Sequence, residues 1–319
     1  MQPTGLSDME YQFQPNAVVC IVGPTGTGKT NLALALARRF DVCIINADSR
    51  QVYRDFPVVT AQPGPQEQQQ CPHTLYGFLP TTEKIDAGSF VDLARDAIAQ
   101  AQANGRLAVL VGGTGLYVRA LLKGLAPIPE IPGEIRSRVH QLLHTRNRQW
   151  AHRLLQRLDP QWAKQVHPND RQRIGRGLEV RLATGRSLSQ WHARQQEQCY
   201  SYNFLLLGVA TDLATLTPRL DKRIQQMLAA GAVEEVQRAW QRCPDPEAPG
   251  WTGIGCAELL GYIRGQYSKT VALDMWRKNT RAYAKRQLTW FRKEPEVFWL
   301  QPGAEDRVCA LVQNWIQAG

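Results

Sequence analysis

The segment that most restricts what this chain can fold into is AVVCIVGPTGTGKTNLALALARRF, residues 17–40. A continuous apolar run, AVVCIV (17–22), stops at a glycine, and leucine and alanine recur with helical spacing from residue 30. An unbroken apolar run of this kind marks a strand covered on both faces, as in a parallel sheet with helices on either side. Between the two elements, GPTGTGKT (23–30) satisfies GxxxxGK[ST], placed after a strand and opening a helix as the motif requires. From Gly23 and Pro24 through Thr25, Gly26, Thr27 and Gly28 to Lys29 and Thr30, such a loop wraps phosphate oxygens. Its amides turn inward and the helix N-terminus adds partial positive charge. Lys29 contributes a full charge, and the Thr30 hydroxyl suits Mg²⁺. Whether the phosphate belongs to a nucleotide such as ATP or to another diphosphate stays open at this point.

Downstream, DVCIINAD (41–48) reads as a second strand, FVDLARDAIAQAQANG (90–105) as an amphipathic helix, RLAVLVGG (106–113) as a buried strand and LYVRALLKG (116–124) as its helix. Strands and helices alternating over short links specify a doubly wound α/β core. At APIPEIPGE (126–134) three prolines and a glycine interrupt any regular element. Residues 134–200 then carry helical periodicity, arginines throughout and no strand signal, before NFLLLGVAT (203–211) returns as an apolar strand. Thr215 to Lys293 is mainly helical, and the Gln-rich QEQQQ (66–70) reads as a loop. The expected fold class is α/β, a P-loop NTPase-like parallel sheet flanked by helices, with an inserted all-helical domain. The expected boundaries are a flexible lead over 1–16, a core formed by 17–128 and 201–319, and the insertion at 129–200.

Charge narrows the partners. Lys and Arg number 38 against 28 Asp and Glu, a net +10, which favours nucleic acid, phosphorylated metabolites or a membrane surface, or marks a merely basic protein. No segment has the apolar length to span a bilayer, and MQPTGLSDMEYQFQPN lacks the basic and apolar regions of a secretory signal. The seven cysteines are odd in number and never form CxxC, which points to a reduced, cytoplasmic protein without structural zinc. His140 and His144 stand at i,i+4 without the glutamate of HExxH, the spacing of a solvated helix face rather than a metal site.

A nucleotide hydrolase of the P-loop type requires an apolar strand ending in Asp, but AVLV (108–111) ends in Gly112-Gly113-Thr114. CIINAD (43–48) supplies the strand-terminal acid instead, Asp48. Both strand ends are expected on the sheet edge that carries the P-loop, where α/β sheets bind ligands. Asp48 therefore suits a magnesium ligand, a general base or a cap of the next turn.

The motifs GPTGTGKT, NADSRQVYRDF (46–56), VGGTGLYVRALLKGL (111–125), LDPQWAKQVHPNDRQRIGRGLEVRLATGRSLS (158–189), RLDKRIQQMLAAGAVEEV (219–236) and TRAYAKRQLTWFR (280–292) occur in that order. They resemble the successive motifs of the tRNA isopentenyltransferase family over roughly residues 17–300. The resemblance implies transfer of the dimethylallyl group of dimethylallyl diphosphate to N6 of the tRNA adenine next to the anticodon, position 37, with release of diphosphate. It implies that the P-loop binds the diphosphate with Mg²⁺ as cofactor on Thr30, that Lys29 and Arg219 hold its oxygens, and that Thr114 stands where the two substrates meet. Asp48 would take the N6 proton. Ser49, Arg50 and Gln51 would contact the adenine and its neighbours, the base leaving its stack to reach them.

The RNA contacts implied by the resemblance are Arg136, Gln172, Arg173, Ile174, Gly175 and Arg176 in the insertion, and Lys285, Arg286, Gln287 and Arg292 near the C-terminus. Arginines interleaved with Tyr283, Trp290 and Phe291 suit a single-stranded loop with splayed bases, although taken singly each arginine fits a solvated helix face and each aromatic a core position. The implied partners are tRNA and the prenyl diphosphate, with no membrane and no obligate protein partner. The chain departs from the family pattern at Gln62, where GTAKP has lysine, at Cys256, where IGYxE has tyrosine, and at Gly177, where RALEV has alanine. Three rival readings remain: a P-loop small-molecule kinase with the insertion as its lid, a prenyltransferase for free adenine nucleotides, and a non-catalytic RNA-binding adaptor.

Overall fold

The structure, a computed structural model, describes residues 13–194 and 202–318. Most of the expected lead, and Cys199, lie outside those residues. The chain divides into two compact units, one of residues 1–122 and 201–319 and the other of residues 123–200.

The first unit is built on a parallel sheet of β1 (Ala17–Val22), β2 (Val42–Asn46), β3 (His73–Thr74), β4 (Leu107–Gly112), β5 (Asn203–Val209) and β6 (Phe298–Leu300). The strand order is β3-β2-β4-β1-β5-β6, so the strand that feeds the P-loop is central. Every β1 residue is buried, and the pleat sends alternate side chains into two cores. Val18, Cys20 and Val22 pack with Phe90, Ala94 and Ile98 of α3 (Ala87–Ala103) and Val118 and Leu121 of α4 (Gly115–Lys123). Val19 and Ile21 pack with Leu32 and Leu36 of α1 (Lys29–Ala37) and, from α14 (Glu305–Ala318), Val308 and Val312. This two-sided burial is why the run is apolar without alternation.

A third cluster joins Val52, Phe56 and Val59 to the C-terminal helices: α10 (Leu213–Ala229), α11 (Ala232–Arg242), α12 (Cys256–Ile263) and α13 (Lys269–Phe291). Two short strands escape the sequence reading. β3 has two residues and β6 three, too few to show a period, and both lie at sheet edges. The Gln-rich loop contains the one-turn helix α2 (Pro65–Gln68), started by Pro65 and by Glu67 accepting the Gly64 N–H. Among the described residues no helix is long and apolar enough to cross a membrane.

The second unit begins at Lys123, earlier than the Pro-rich break suggests. Its helices are α5 (Gly133–Thr145), α6 (Arg148–Leu158), α7 (Pro160–Ala163), α8 (Arg171–Thr184) and α9 (Leu188–Ala193), with no strand among the described residues. Val139, Leu143, Ala151, Leu155, Ile174 and Leu178 form its core. The buried Asp159 carboxylate caps α7 at the Trp162 amide and also accepts from the Ser189 amide and hydroxyl. Gly177 answers its departure from the family pattern. A Cβ there would lie 2.7 Å from Leu155 Cδ1 and 3.0 Å from Trp162 Cδ1, so the larger neighbours occupy the space that alanine would need.

Candidate active site

The site is assembled where β1, β2 and β4 end. At the close of β1, Gly23 has φ 140°, and a Cβ there would stand 2.3 Å from the Val209 carbonyl oxygen. Only glycine lets β1 turn this close to β5. The loop is braced internally: the Thr27 hydroxyl, buried, donates to the Pro24 carbonyl at 2.9 Å. Lys29 Nζ donates to the carbonyls of Gly23 at 3.0 Å and Pro24 at 2.8 Å, lying back over the loop. Its ammonium is held down to about 8, mainly by desolvation, with Asp48 opposing and Arg223 adding to the fall.

β2 and β4 stay zipped beyond their last strand residues. The Ala47 amide donates to Val111 O at 2.8 Å, and the Thr114 amide returns a bond to Ala47 O at 3.2 Å. The approach is so close that a Cβ on Gly112 would fall 2.2 Å from the Ala47 carbonyl carbon and oxygen. Thr114 Oγ1 accepts the Ser49 N–H at 2.9 Å and donates to Ser49 Oγ at 3.3 Å. Asp48 is fixed on both sides: its amide donates to Asn46 Oδ1 at 2.8 Å and its Oδ1 accepts the Arg50 N–H at 2.9 Å. Asp48, Ser49 and Thr114 thus share one edge of the sheet with the P-loop, and all are half-buried.

Arg219 is exposed on α10, whereas Arg223, one turn later, is half-buried with its Nε unpartnered. Burial pulls the Arg223 guanidinium below its ordinary pKa, with Asp48 and Glu67 opposing. Leu216, Leu220 and Ile224 form the buried stripe of α10, and a Cβ on Gly26 would meet Leu220 Cδ2 at 2.6 Å. Arg219 and Arg223 flank that stripe alike, so periodicity cannot separate them; burial does, with Arg219 exposed and Arg223 half-buried. Tyr76 and Tyr283 add phenols whose pKa values rise, first through burial and then through the charge of Asp48.

The other residues singled out from sequence separate by exposure. Arg50 reaches Thr252 Oγ1 at 2.8 Å, and Gln51 Nε2 donates to the carbonyls of Thr60 and Ala61, holding the turn that precedes Gln62. Gln62 Nε2 donates to Tyr53 O at 2.8 Å, a bond within the fold. Lys285, Arg286 and Arg292 are exposed on or at the end of α13, while Gln287 is buried. In the insertion Arg136, Gln172, Arg173 and Arg176 are exposed. Arg173 stacks over Trp162 at 4.6 Å and donates to Gln165 O, and Arg176 pairs with Glu179 at 3.8 Å. Ile174 is fully buried in the helical core and Gly175 lies beneath Leu143, so neither presents a side chain to solvent. His140 and His144 face each other across one exposed turn of α5, Nε2 to Nε2 at 3.1 Å.

A P-loop at the carboxyl edge of a parallel sheet, with a carboxylate and a threonine from the neighbouring strands, defines a protein of the P-loop NTPase-like class. The chain belongs to the IPP transferase family, whose model matches residues 51–294. It is 54% identical over 299 residues to a tRNA dimethylallyltransferase of Maridesulfovibrio salexigens, covering 94% of this chain and 97% of the relative. The tRNA dimethylallyltransferase of Oleidesulfovibrio alaskensis is 56% identical over 283 residues, 89% and 92% of the two chains. Among solved structures, a eukaryotic dimethylallyltransferase acting on tRNA superposes with a TM-score of 0.80 at 26% identity, covering 95% of this chain and 80% of that one. The tRNA isopentenylpyrophosphate transferase of Bacillus halodurans gives 0.70 at 30% identity, over 95% and 98%.

Proposed function

We propose that this chain transfers the dimethylallyl group of dimethylallyl diphosphate to N6 of a tRNA adenine beside the anticodon, releasing diphosphate. The observation that carries the donor half is a pair of desolvated cations, Lys29 and Arg223, set beside the P-loop amides, with the Arg223 Nε lacking a protein acceptor. Such a site is matched by a ligand that brings several negative oxygens, and it gains most when charge on those oxygens grows. In allylic transfer that growth accompanies cleavage of the carbon–oxygen bond, so the same groups that bind diphosphate assist its departure.

The acceptor half rests on the Asp48–Ser49–Thr114 edge. The N6 lone pair is delocalised into the adenine ring, so the amine is a weak nucleophile that must be aligned and must lose a proton as it attacks. Asp48 is the proposed base. Its carboxylate is oriented by the Arg50 amide through Oδ1, and Thr114 holds the neighbouring Ser49 amide. The phenols of Tyr76 and Tyr283, kept protonated, offer hydrogen bonds without competing for the proton. Exposed Lys285, Arg286 and Arg292, and Arg136, Arg173 and Arg176 in the insertion, are the proposed phosphate contacts.

The hard hydroxyl oxygen of Thr30 fits Mg²⁺, which commonly keeps several waters and is held by few protein oxygens together with substrate phosphates. When bound, the ion would neutralise charge on the departing diphosphate. The described cysteines Cys20, Cys43, Cys71, Cys243, Cys256 and Cys309 are free thiols, which agrees with a cytoplasmic setting for the reaction. Against a kinase reading, β4 runs into Gly113 and Thr114 instead of an acid, and the strand-terminal acid follows β2 as Asp48. Diphosphate release is the test. It should require dimethylallyl diphosphate and tRNA together and be indifferent to ATP; ATP hydrolysis without transfer would favour the kinase.

A further inference from the structure

Gln287 is a polar side chain only 4% exposed on an otherwise apolar face of α13, with Ala284, Leu288 and Phe291 buried around it. Both ends of its carboxamide are engaged. Oε1 accepts the Thr25 N–H at 2.9 Å and Nε2 donates to the Gly113 carbonyl at 3.0 Å. The orientation of the amide is fixed by its partners, since a backbone N–H can only donate and a carbonyl can only accept. Thr25 lies in the P-loop, and Gly113 immediately precedes Thr114. One side chain therefore ties the loop proposed to hold the leaving group to the turn proposed to meet the adenine.

The surroundings are shaped to this junction. A Cβ on Gly113 would fall 2.0 Å from Gln287 Nε2, and one on Gly115 would fall 2.1 Å from Trp290 Cδ1. Two glycines of the β4–α4 turn thus admit α13 at close range, with Gln287 and Trp290 filling the space. On the same helix Lys285 and Arg286 are exposed. The inward and outward residues of the motif KRQLTW are therefore doing different things, and the inward one has no exposed surface to offer an RNA.

We infer that Gln287 is a positioning residue that sets the register between the P-loop and the Thr114 turn, and so the alignment of the allylic carbon with the attacking nitrogen, without touching tRNA. The inference rests on the prenyl-transfer reading of the site. Misplacement by about 1 Å costs a reaction on the order of 10²-fold while leaving binding of each substrate intact.

The experiment compares wild type with Gln287→Met, which keeps length and loses both hydrogen bonds, and with Gln287→Glu. Single-turnover transfer at saturating dimethylallyl diphosphate and tRNA should fall about 10²-fold in Gln287→Met. Affinities for inorganic pyrophosphate and for tRNA, measured separately, should stay within about threefold, the split expected when only transition-state alignment is lost. In Gln287→Glu the ionised carboxylate would set an oxygen against the Gly113 carbonyl, but the protonated acid reproduces the donor and acceptor of the carboxamide. The rate of Gln287→Glu relative to wild type should therefore rise as pH falls from about 8 to 5.5, a signature that a packing role would not give. Equal losses of rate and tRNA affinity would make Gln287 an RNA-binding residue and overturn the inference, as would rates within about threefold of wild type in both variants. If Gln287→Met does not fold, the pH ratio of the Gln287→Glu variant decides. Should wild type itself transfer no prenyl group, the functional reading fails. The clamp is then judged alone by exchange of the Thr25 amide in wild type, slow if tied to Gln287 and at loop rates if not.

Discussion

Lys29 offers a quantitative probe of the donor site because its charge is balanced against desolvation. Its ammonium titrates at about 8, below the ordinary 10.5. Between those values the unfolded chain binds the proton that the folded one has lost, so stability rises with pH through this window: the desolvation penalty of the charged lysine is fully present below about 8 and is relieved as pH rises towards 10.5. Diphosphate binding runs the other way, because it needs the cation. Replacing Lys29 by Met should weaken inorganic pyrophosphate binding at pH 7 by about 10- to 100-fold, the range for a hydrogen bond to a charged group of about 1.5–3 kcal/mol. Above about pH 8 the advantage of wild type should shrink by about tenfold per unit, until the two proteins converge. Titration of the ligand is common to both proteins and cancels in the ratio. Calorimetric titration with pyrophosphate from about pH 6.5 to 10 measures that ratio directly. A ratio constant across that range would refute the reasoning, showing either that Lys29 keeps its proton or that it does not touch the anion.

Further outcomes follow from individual side chains. Changing Asp48 to Asn should lower kcat by about 10²–10⁴-fold with tRNA affinity within about tenfold, since shape is kept and the proton acceptor is lost; near-normal turnover would remove Asp48 as the base. Arg223→Ala should weaken pyrophosphate binding more than Arg219→Ala, read by the same calorimetry, because only Arg223 is desolvated beside Lys29 and Asp48. Replacing Arg173 and Arg176 together by alanine should reduce the slope of log K for tRNA against log salt by about 0.7–0.9 for each phosphate no longer neutralised, with pyrophosphate affinity unchanged.

Much of the fold was legible because backbone and packing wrote the same message. The run 17–22 is apolar since both sheet faces are covered, and the glycines of 23–28 are there because the loop turns where side chains cannot. Asp48 and Thr114 were legible for a related reason: each follows a buried strand, and adjacent parallel strands deliver their ends to one edge. The burial of Arg223 was not, because Arg219 and Arg223 stand one turn apart beside the same apolar stripe of α10, and only tertiary packing leaves one exposed and the other half-buried. Ile174, Gly175 and Gln287 were implied as RNA contacts by their place in family motifs, yet a motif spans both faces of a helix. Helical spacing carried the missing signal. Ile174 and Leu178 stand at i,i+4, as do Ala284 and Leu288 around Gln287, and those positions face inward. Gln62 and Cys256 sit where the resemblance expects lysine and tyrosine; Gln62 is tied to the Tyr53 carbonyl and Cys256 is buried, so both departures are absorbed by packing within the first unit.

The most direct test of the central claim is the mass of nucleosides from tRNA incubated with this protein, Mg²⁺ and dimethylallyl diphosphate, then digested. The expected product is one adenosine, from the position next to the anticodon, heavier by a single C5H8 unit on N6, forming about 10²–10⁴-fold more slowly when Asp48 is replaced by Asn. Unmodified tRNA alongside prenylated free adenine nucleotide, or modification at a base other than adenine, would contradict it.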